Sequence, residues 1–349
     1  MFTSAVGSAL AKRLVENPPE ERPPAIFVFL PIVNLVIFLP VFLILLYSLE
    51  QVYPTLAAVE DPLPAYEALP LNDDGTPKSD NTPVLTAEPG RPITASLRAT
   101  NRLLRSLNGW LSNFRGLGYA TLIAILTIIT TLFLSLLPFV PGPVADLIAL
   151  IAFSPLSTTW THLVITRPTS KSFFQRIPPL KKVYLATWLP TLLVWVAVNA
   201  TIFFPFLLAR TIGLDLIDPE NPDQGLSQLP RGSDAGKATA VLGLSLALQV
   251  LFYIPAHTAL RRVQASLLPP DEDTLVPFDR SFAGLVEPEV VSGKGFATFG
   301  AALKTVTRAS WARIYMLRVK VFAVAIAGYA AIVAAVVVEF LIVLMIRGQ

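Results

Sequence analysis

Six stretches of the chain stay apolar for about the twenty residues that cross a hydrocarbon core roughly 30 Å thick: Ala25–Leu49, Leu117–Val140, Val144–Ile165, Val183–Ala209, Ala238–Leu260 and Val321–Ile346. They predict six transmembrane helices and an all-α membrane protein. The polar intervals between them alternate in length. Segments 50–116, 166–182 and 261–320, the odd loops, follow the first, third and fifth spans; the tight Pro141–Pro143 turn and segment 210–237 follow the second and fourth.

Within the long odd loops the pattern changes part-way. Residues 50–92 are rich in proline and acid, lack an amphipathic period, and predict a disordered or loosely extended segment. From residue 93 to 108 a helical period takes over. Leu97, Leu104 and Leu107 fall on one side, while Arg98, Arg102 and Arg105 form a basic stripe. This surface helix would lie against acidic lipid headgroups. The last odd loop repeats the design, with a Pro/acid-rich part over 261–298 and a surface helix over 299–315 that carries Lys304 and Arg308 four residues apart. Aromatic pairs with the same spacing, Trp110/Phe114 and Trp311/Tyr315, precede the second and sixth spans, and Phe173 and Ile177 hold the corresponding place in the middle loop. Amphipathic rings there suit the headgroup level.

Pro40, Pro155 and Pro255 each sit in an odd span. A proline inside a helix removes one hydrogen bond and kinks the chain, so three kinks at one level would gather the odd helices toward a common axis. The order span, loop, surface helix, span then reads as three tandem two-helix repeats: 25–140, 141–209 and 238–346, with 1–24 as an N-terminal segment and 210–237 as a connector.

On these residues the chain resembles the mitochondrial carrier family, whose three repeats each carry Pro-x-Asp/Glu-x-x-Lys/Arg on the odd helix and Asp/Glu-Gly-x-x-x-x-aromatic-Lys/Arg-Gly before the even helix. "NGWLSNFRG" matches the second motif at Gly109, Phe114, Arg115 and Gly116, with Asn108 in the acid position. The resemblance implies a pseudo-threefold, carrier-like six-helix bundle in a mitochondrial membrane, the inner one by family default and the outer one as the alternative. The first motif departs from the family. "PVFLIL", "PLSTTW" and "PAHTAL" place Phe42, Ser157 and His257 at the acid positions and Leu45, Trp160 and Leu260 at the basic ones. The ion pairs that close a carrier on this side cannot form from these positions.

Composition agrees with a lipid-solvated chain: 53% of residues are hydrophobic and 15% charged, against about 25% charged in soluble domains. No cysteine and only two histidines exclude a disulfide framework, thiolate chemistry and an ordinary zinc site. No phosphate loop or dinucleotide fingerprint is present, so neither a metal nor a cofactor is expected. Asp146, Ser157 and His162 are triad residue types on one span, but no nucleophile elbow accompanies them, and no catalytic residue is assigned. Of the 27 Lys and Arg residues, 20 lie in the odd loops, which face the cytosol in a bacterial or reticular membrane and are compatible with the matrix side in mitochondria.

Ionisable groups inside spans cost about 2.5–3.5 kcal/mol at the bilayer centre on insertion scales. Asp146, His162, His257 and Glu339 are therefore candidate sites, with Asp146 read as a helix cap or an interfacial group and Glu339 as partner to a group across the bundle. Ala323, Ala327, Ala331 and Ala335 read as a packing face on the sixth span. Together these features point to a non-enzymatic membrane factor, acting in protein insertion, lipid handling or organelle shape, with the bilayer, acidic lipids and membrane proteins as partners and no nucleic acid. The alternatives are a transporter of a small anionic solute and a six-span protein unrelated to carriers.

Overall fold

In the computed structural model the described residues are 25–61, 92–169, 171–214, 232–286 and 294–347. The expectations for residues 1–24, for most of the 50–92 segment, for the middle of 210–237 and for part of 261–298 fall outside them. Among the described residues the regular structure is helical. The helices are α1 (Ala25–Leu43), α2 (Tyr53–Val59), α3 (Leu97–Asn108), α4 (Leu117–Ser135), α5 (Gly142–Ala152), α6 (Ser154–Ile165), α7 (Leu180–Thr211), α8 (Gly232–Leu248), α9 (Ile254–Ser266), α10 (Phe299–Lys304) and α11 (Arg308–Arg347). Five continuous helical stretches are long and apolar enough to cross a membrane, and α5 with α6, bent by 55° at Phe153, makes a sixth if the pair is one span.

Contacts divide the chain into two units. The smaller holds residues 25–39, 197–214 and 232–251 among those described. In it α7 ends at Thr211 and the chain turns at Gly213, whose φ of +65° suits a residue without Cβ, and Lys237 donates to the Gly213 carbonyl at 3.1 Å. The larger unit, residues 40–196 and 252–349, contains every site discussed below.

Besides α5, which opens on Gly142–Pro143, three helices in this unit carry a proline in their first two positions: α2 at Pro54, α6 at Pro155 and α9 at Pro255. Each follows a disturbed turn. Widened π-helical stretches, Ile44–Val52 and Gln249–Tyr253, precede the first and third, and the Phe153 bend precedes the second. The cause is local, since proline offers no N–H and its ring pushes away the carbonyl four residues earlier. Pro40 lies instead within α1. Pro54, Pro155 and Pro255 share this helix-opening position, and their residue numbers step by 101 and then 100.

Helix ends also move. The first span continues to Val59 and the fifth to Ser266, so the odd loops begin later than their hydropathy suggests. Buried packing replaces lipid there: α2 is buried along its whole length, and α2, α6 and α9 pack on one another. The surface helix predicted over 93–108 forms as a 3-10 turn (Ile93–Ala95) followed by α3. That predicted over 299–315 does not form as one element. Thr307 accepts from Ser310 N at 3.1 Å and caps a new helix, so Lys304 ends α10 while Arg308 begins the 40-residue α11.

The alanine face on the sixth span is likewise displaced. Ala323, Ala327 and Ala331 are exposed, whereas Val321, Ala325, Gly328 and Ile332 turn inward. Gly328 decides the rotation, because a Cβ there would stand 2.8 Å from Leu45 Cδ1. Ala335, the last of the predicted face, is half-buried in line with Gly328 and Ile332, so the predicted face fails at its first three alanines and the facing side chain selects the stripe.

Candidate functional site

The charged core of the larger unit lies where α2, α6 and α9 end. Glu60, directly after α2, is 1% exposed, and Arg313 of α11 is 8% exposed. Arg313 Nη1 donates to Glu60 Oε2 at 2.8 Å, and its Nη2 reaches the Ala57 and Glu60 carbonyls at 3.3 and 2.5 Å. The same carboxylate accepts from Ile93 N at 2.6 Å, Thr94 N at 3.0 Å and Thr94 Oγ1 at 2.5 Å. Glu60 thus ties the end of α2 to the approach to α3 and to α11. A buried charge is tolerated when paired and hydrogen-bonded on its remaining lone pairs, and this one is.

A second pair lies beside it. Arg262 of α9 donates to Asp61 Oδ1 at 2.8 Å, to the Ala58 carbonyl at 3.2 Å and to Thr305 Oγ1 at 3.2 Å. Its guanidinium carbon sits 5.1 Å from the centre of the Phe282 ring. Asp61 also accepts from Asp279 N at 3.0 Å, which brings in the loop after α9. Sequence reading singled out none of Glu60, Asp61, Arg262 and Arg313, because each is an ordinary loop or interfacial charge until the fold juxtaposes partners more than two hundred residues apart. Phe42, Ser157, His257, Leu45, Trp160 and Leu260 carry no fixed charge, and the buried ion pairs of this unit form elsewhere, at Glu60–Arg313 and Asp61–Arg262.

Next to this core a cavity of about 530 Å³ is lined by Tyr47, Gln51, Leu117, Ile123, Ile128, Leu150, Ser157, Trp160 and Arg261, among others. Trp160 Nε1 donates to Tyr47 Oη at 3.0 Å, and that hydroxyl donates to the Arg115 carbonyl at 2.5 Å. Arg261 lies 4.7 Å from the Trp160 ring centre, within cation–π range. A second cavity, about 470 Å³, brings Lys181, Lys182 and Lys294 together with Trp188, Phe296 and Phe299.

The matched motif has a structural account at each position. Gly109 closes α3 at φ +66° and Gly116 opens α4 at φ +76°, in the left-handed region that favours glycine. A Cβ on Gly116 would stand 3.0 Å from Trp160 Nε1. Phe114 packs edge-to-face on Trp110, 5.7 Å between centres, and Trp311 stacks on Tyr315 at 5.8 Å. Arg115 contributes its carbonyl, while Asn113, which the reading passed over, is the buried anchor: Ser48 Oγ donates to its carbonyl at 2.7 Å and Tyr53 Oη to its Oδ1 at 3.2 Å.

The remaining candidates scatter. Arg98, Arg102 and Arg105 are exposed along α3, and Lys304 and Arg308 are exposed on separate helices. His162 is buried with Nε2 at 2.8 Å from the Gln264 carbonyl. His257 Nε2 accepts from Arg261 Nε at 3.3 Å, which places this histidine at the cavity's charged end. Asp146 is the fifth residue of α5 and makes no capping bond, so the cap reading is corrected; the helix opens on Pro141–Gly142–Pro143 instead. Glu339 is half-buried on α11, far along the helix from Arg313. Among the described residues no group of three or more His, Asp or Glu could hold a metal.

The two loops facing each other at this end are clasped by Lys171, whose Nζ is 2.6 Å from Asp271 Oδ2 and 3.6 Å from Glu272 Oε1. The Lys171 hydrogen bond holds the Asp271 carboxyl below its ordinary range. Whatever stability this pair gives is present above the unfolded carboxylate's range and lost as pH falls through the folded one. Both side chains are exposed, and exposed pairs contribute little. Asp271→Asn, which removes only the exposed carboxylate and leaves Lys171 beside the buried Glu272, should leave the thermal unfolding midpoint unchanged within error at neutral pH; a clear drop would show that the clasp holds the loops.

Comparison with protein-family models, curated proteins and solved structures finds no match to this chain.

Proposed function

We propose that this protein is a non-enzymatic membrane factor built as a carrier-like bundle of three tandem two-helix repeats, resident in a mitochondrial membrane and shut at its odd-loop end. It acts through lipids or membrane-protein partners and does not pass solutes. Three helices that carry Pro54, Pro155 and Pro255 in their first two positions at near-equal intervals and pack on one another support the repeat reading. The Lys/aromatic cavity and the exposed arginines of α3 support acidic lipids as partners.

The observation that carries the reading is the Glu60–Arg313 pair. A gate that opens in each transport cycle needs ion pairs that water can take over, whereas this carboxylate is engaged by two backbone N–H groups, a hydroxyl and a guanidinium from separate elements. Opening would strand several buried groups at once, each at a cost of about 1–3 kcal/mol or more. In liposomes the purified protein should exchange no nucleotide, phosphate or carboxylate above the protein-free rate. Saturable exchange of any of these would overturn the reading and favour the second one, a transporter of a small anionic solute, for which the cation Arg261 in the larger cavity speaks.

A further inference from the structure

Arg261 is a buried cation without a carboxylate. It is 8% exposed, and its hydrogen bonds go to neutral acceptors: His257 Nε2 at 3.3 Å, Thr161 Oγ1 at 2.9 Å and Gln264 Oε1 at 3.0 Å. Gln264 is itself occupied, accepting from Thr161 Oγ1 at 2.7 Å and donating to Ser157 Oγ at 3.2 Å. Glu50, on the π-helical stretch that also carries the cavity residue Tyr47, pairs with Arg318 at 3.4 Å. Arg262, Arg313 and Lys171 each have a carboxylate within ion-pair distance, and Arg261 has none among the described residues. Buried charges are ordinarily paired because desolvation costs several kcal/mol per ion. Dipolar acceptors and the Trp160 face offset part of that cost here; the full charge is still uncompensated.

The missing partner has a place to sit. Arg261 lines the cavity of about 530 Å³, which falls in the range of ligand pockets. Around it the walls divide by chemistry. Tyr47, Gln51, Ser157 and Trp160 are grouped with Arg261 on α6, α9 and the π-helical turn before α2, while the wall from α4 and α5 is apolar at Leu117, Ile123, Ala124, Ile128 and Leu150 and interrupted only by Thr121 and Thr127, the latter donating its hydroxyl to the Ile123 carbonyl at 2.8 Å. Ala124 and Ile128 are exposed, so the apolar side is accessible. A small hydrophilic anion would pair with the arginine but leave that wall unused, and a neutral lipid would fill the wall but leave the charge.

We propose that this cavity binds an anionic amphiphile, its carboxylate or phosphate monoester on Arg261 and its apolar chain along Leu117, Ile123, Ile128 and Leu150. Guanidinium suits both head groups through paired N–H donors. Binding does not require the odd-loop end to open. Its failure would leave the non-transport reading standing, and solute exchange would overturn that reading while amphiphile binding at Arg261 is decided by its own measurement.

The test uses the full chain in phosphatidylcholine nanodiscs and follows saturable stabilisation against heat. Dodecanoate and dodecyl phosphate are the two anionic probes, dodecanol the neutral one, and succinate the soluble anion. At least one anionic amphiphile should bind, with affinity reduced at least tenfold in Arg261→Gln and partly restored in Arg261→Lys. Preference for dodecanoate assigns a free fatty acid, and preference for dodecyl phosphate a single-chain phospholipid head. Ala124→Trp, which narrows the cavity from an exposed position, should weaken binding as well and decides the matter if Arg261→Gln does not fold. Equal binding of dodecanol, binding of succinate alone, or wild-type affinity in Ala124→Trp would each overturn the proposal.

Discussion

Arg313→Met is expected to remove most of the folded protein from membranes, with a loss of about 3–5 kcal/mol, the usual result of taking one partner from a buried ion pair. The cost is not the attraction itself. Without the guanidinium, Glu60 stays buried and charged beside only the Ile93 and Thr94 donors, and the Ala57 and Glu60 carbonyls lose their donor. The double variant Glu60→Gln/Arg313→Met should recover part of the loss, because no unpaired charge remains, although the one amide oxygen can serve Ile93 N or the Thr94 donors but not both. Unfolding midpoints in detergent, read by intrinsic fluorescence, separate the two cases. A double variant as unstable as the single one would show that shape, not charge, makes this contact.

Gly116→Val should produce the second large effect, about 3 kcal/mol from two independent sources, a left-handed backbone that a β-branched residue resists and overpacking. The first source is the φ of +76° at the start of α4. The second is Trp160, whose Nε1 and Cδ1 would stand 3.0 and 3.1 Å from the new Cβ. Moving that indole would break its bond to Tyr47 and disturb the stack under Arg261. Gly118→Val, two residues on, meets open space at a helical position and should change stability by less than about 1 kcal/mol, since valine is a better helix residue than glycine. Unfolding midpoints of the two variants, measured side by side, check the contrast. Equal losses would mean that the helix start, not the contact with Trp160, governs this site.

These two positions differ in how far the sequence announces them. Gly116 stood out in "NGWLSNFRG" because local chain geometry leaves a local mark: a glycine where φ turns positive, aromatics one turn apart, an amphipathic period over α3. Spans are legible for the same reason, since lipid contact imposes a long apolar run on consecutive residues. The end of the first span is less legible because a hydropathy window stops at the lipid boundary, whereas this helical stretch continues to Val59 and into protein packing with Ser48, Glu50, Gln51 and Thr55 on its way. Nothing in the run itself tells a polar residue buried in protein from one in water.

What the sequence by itself determined was therefore the solvent and the local geometry: a helical membrane chain, its surface helix at 97–108, and the glycine junction into α4. Tertiary structure alone decided where the charges go. Glu60 and Arg313 are 253 residues apart and Asp61 and Arg262 are 201 apart, so no periodicity or spacing links them; they are paired only because α2, α9 and α11 converge. The same convergence left Arg261, the neighbour of Arg262, facing a cavity instead of a carboxylate. Adjacent side chains on a helix point about 100° apart, and that rotation separates a closed ion pair from an open cation.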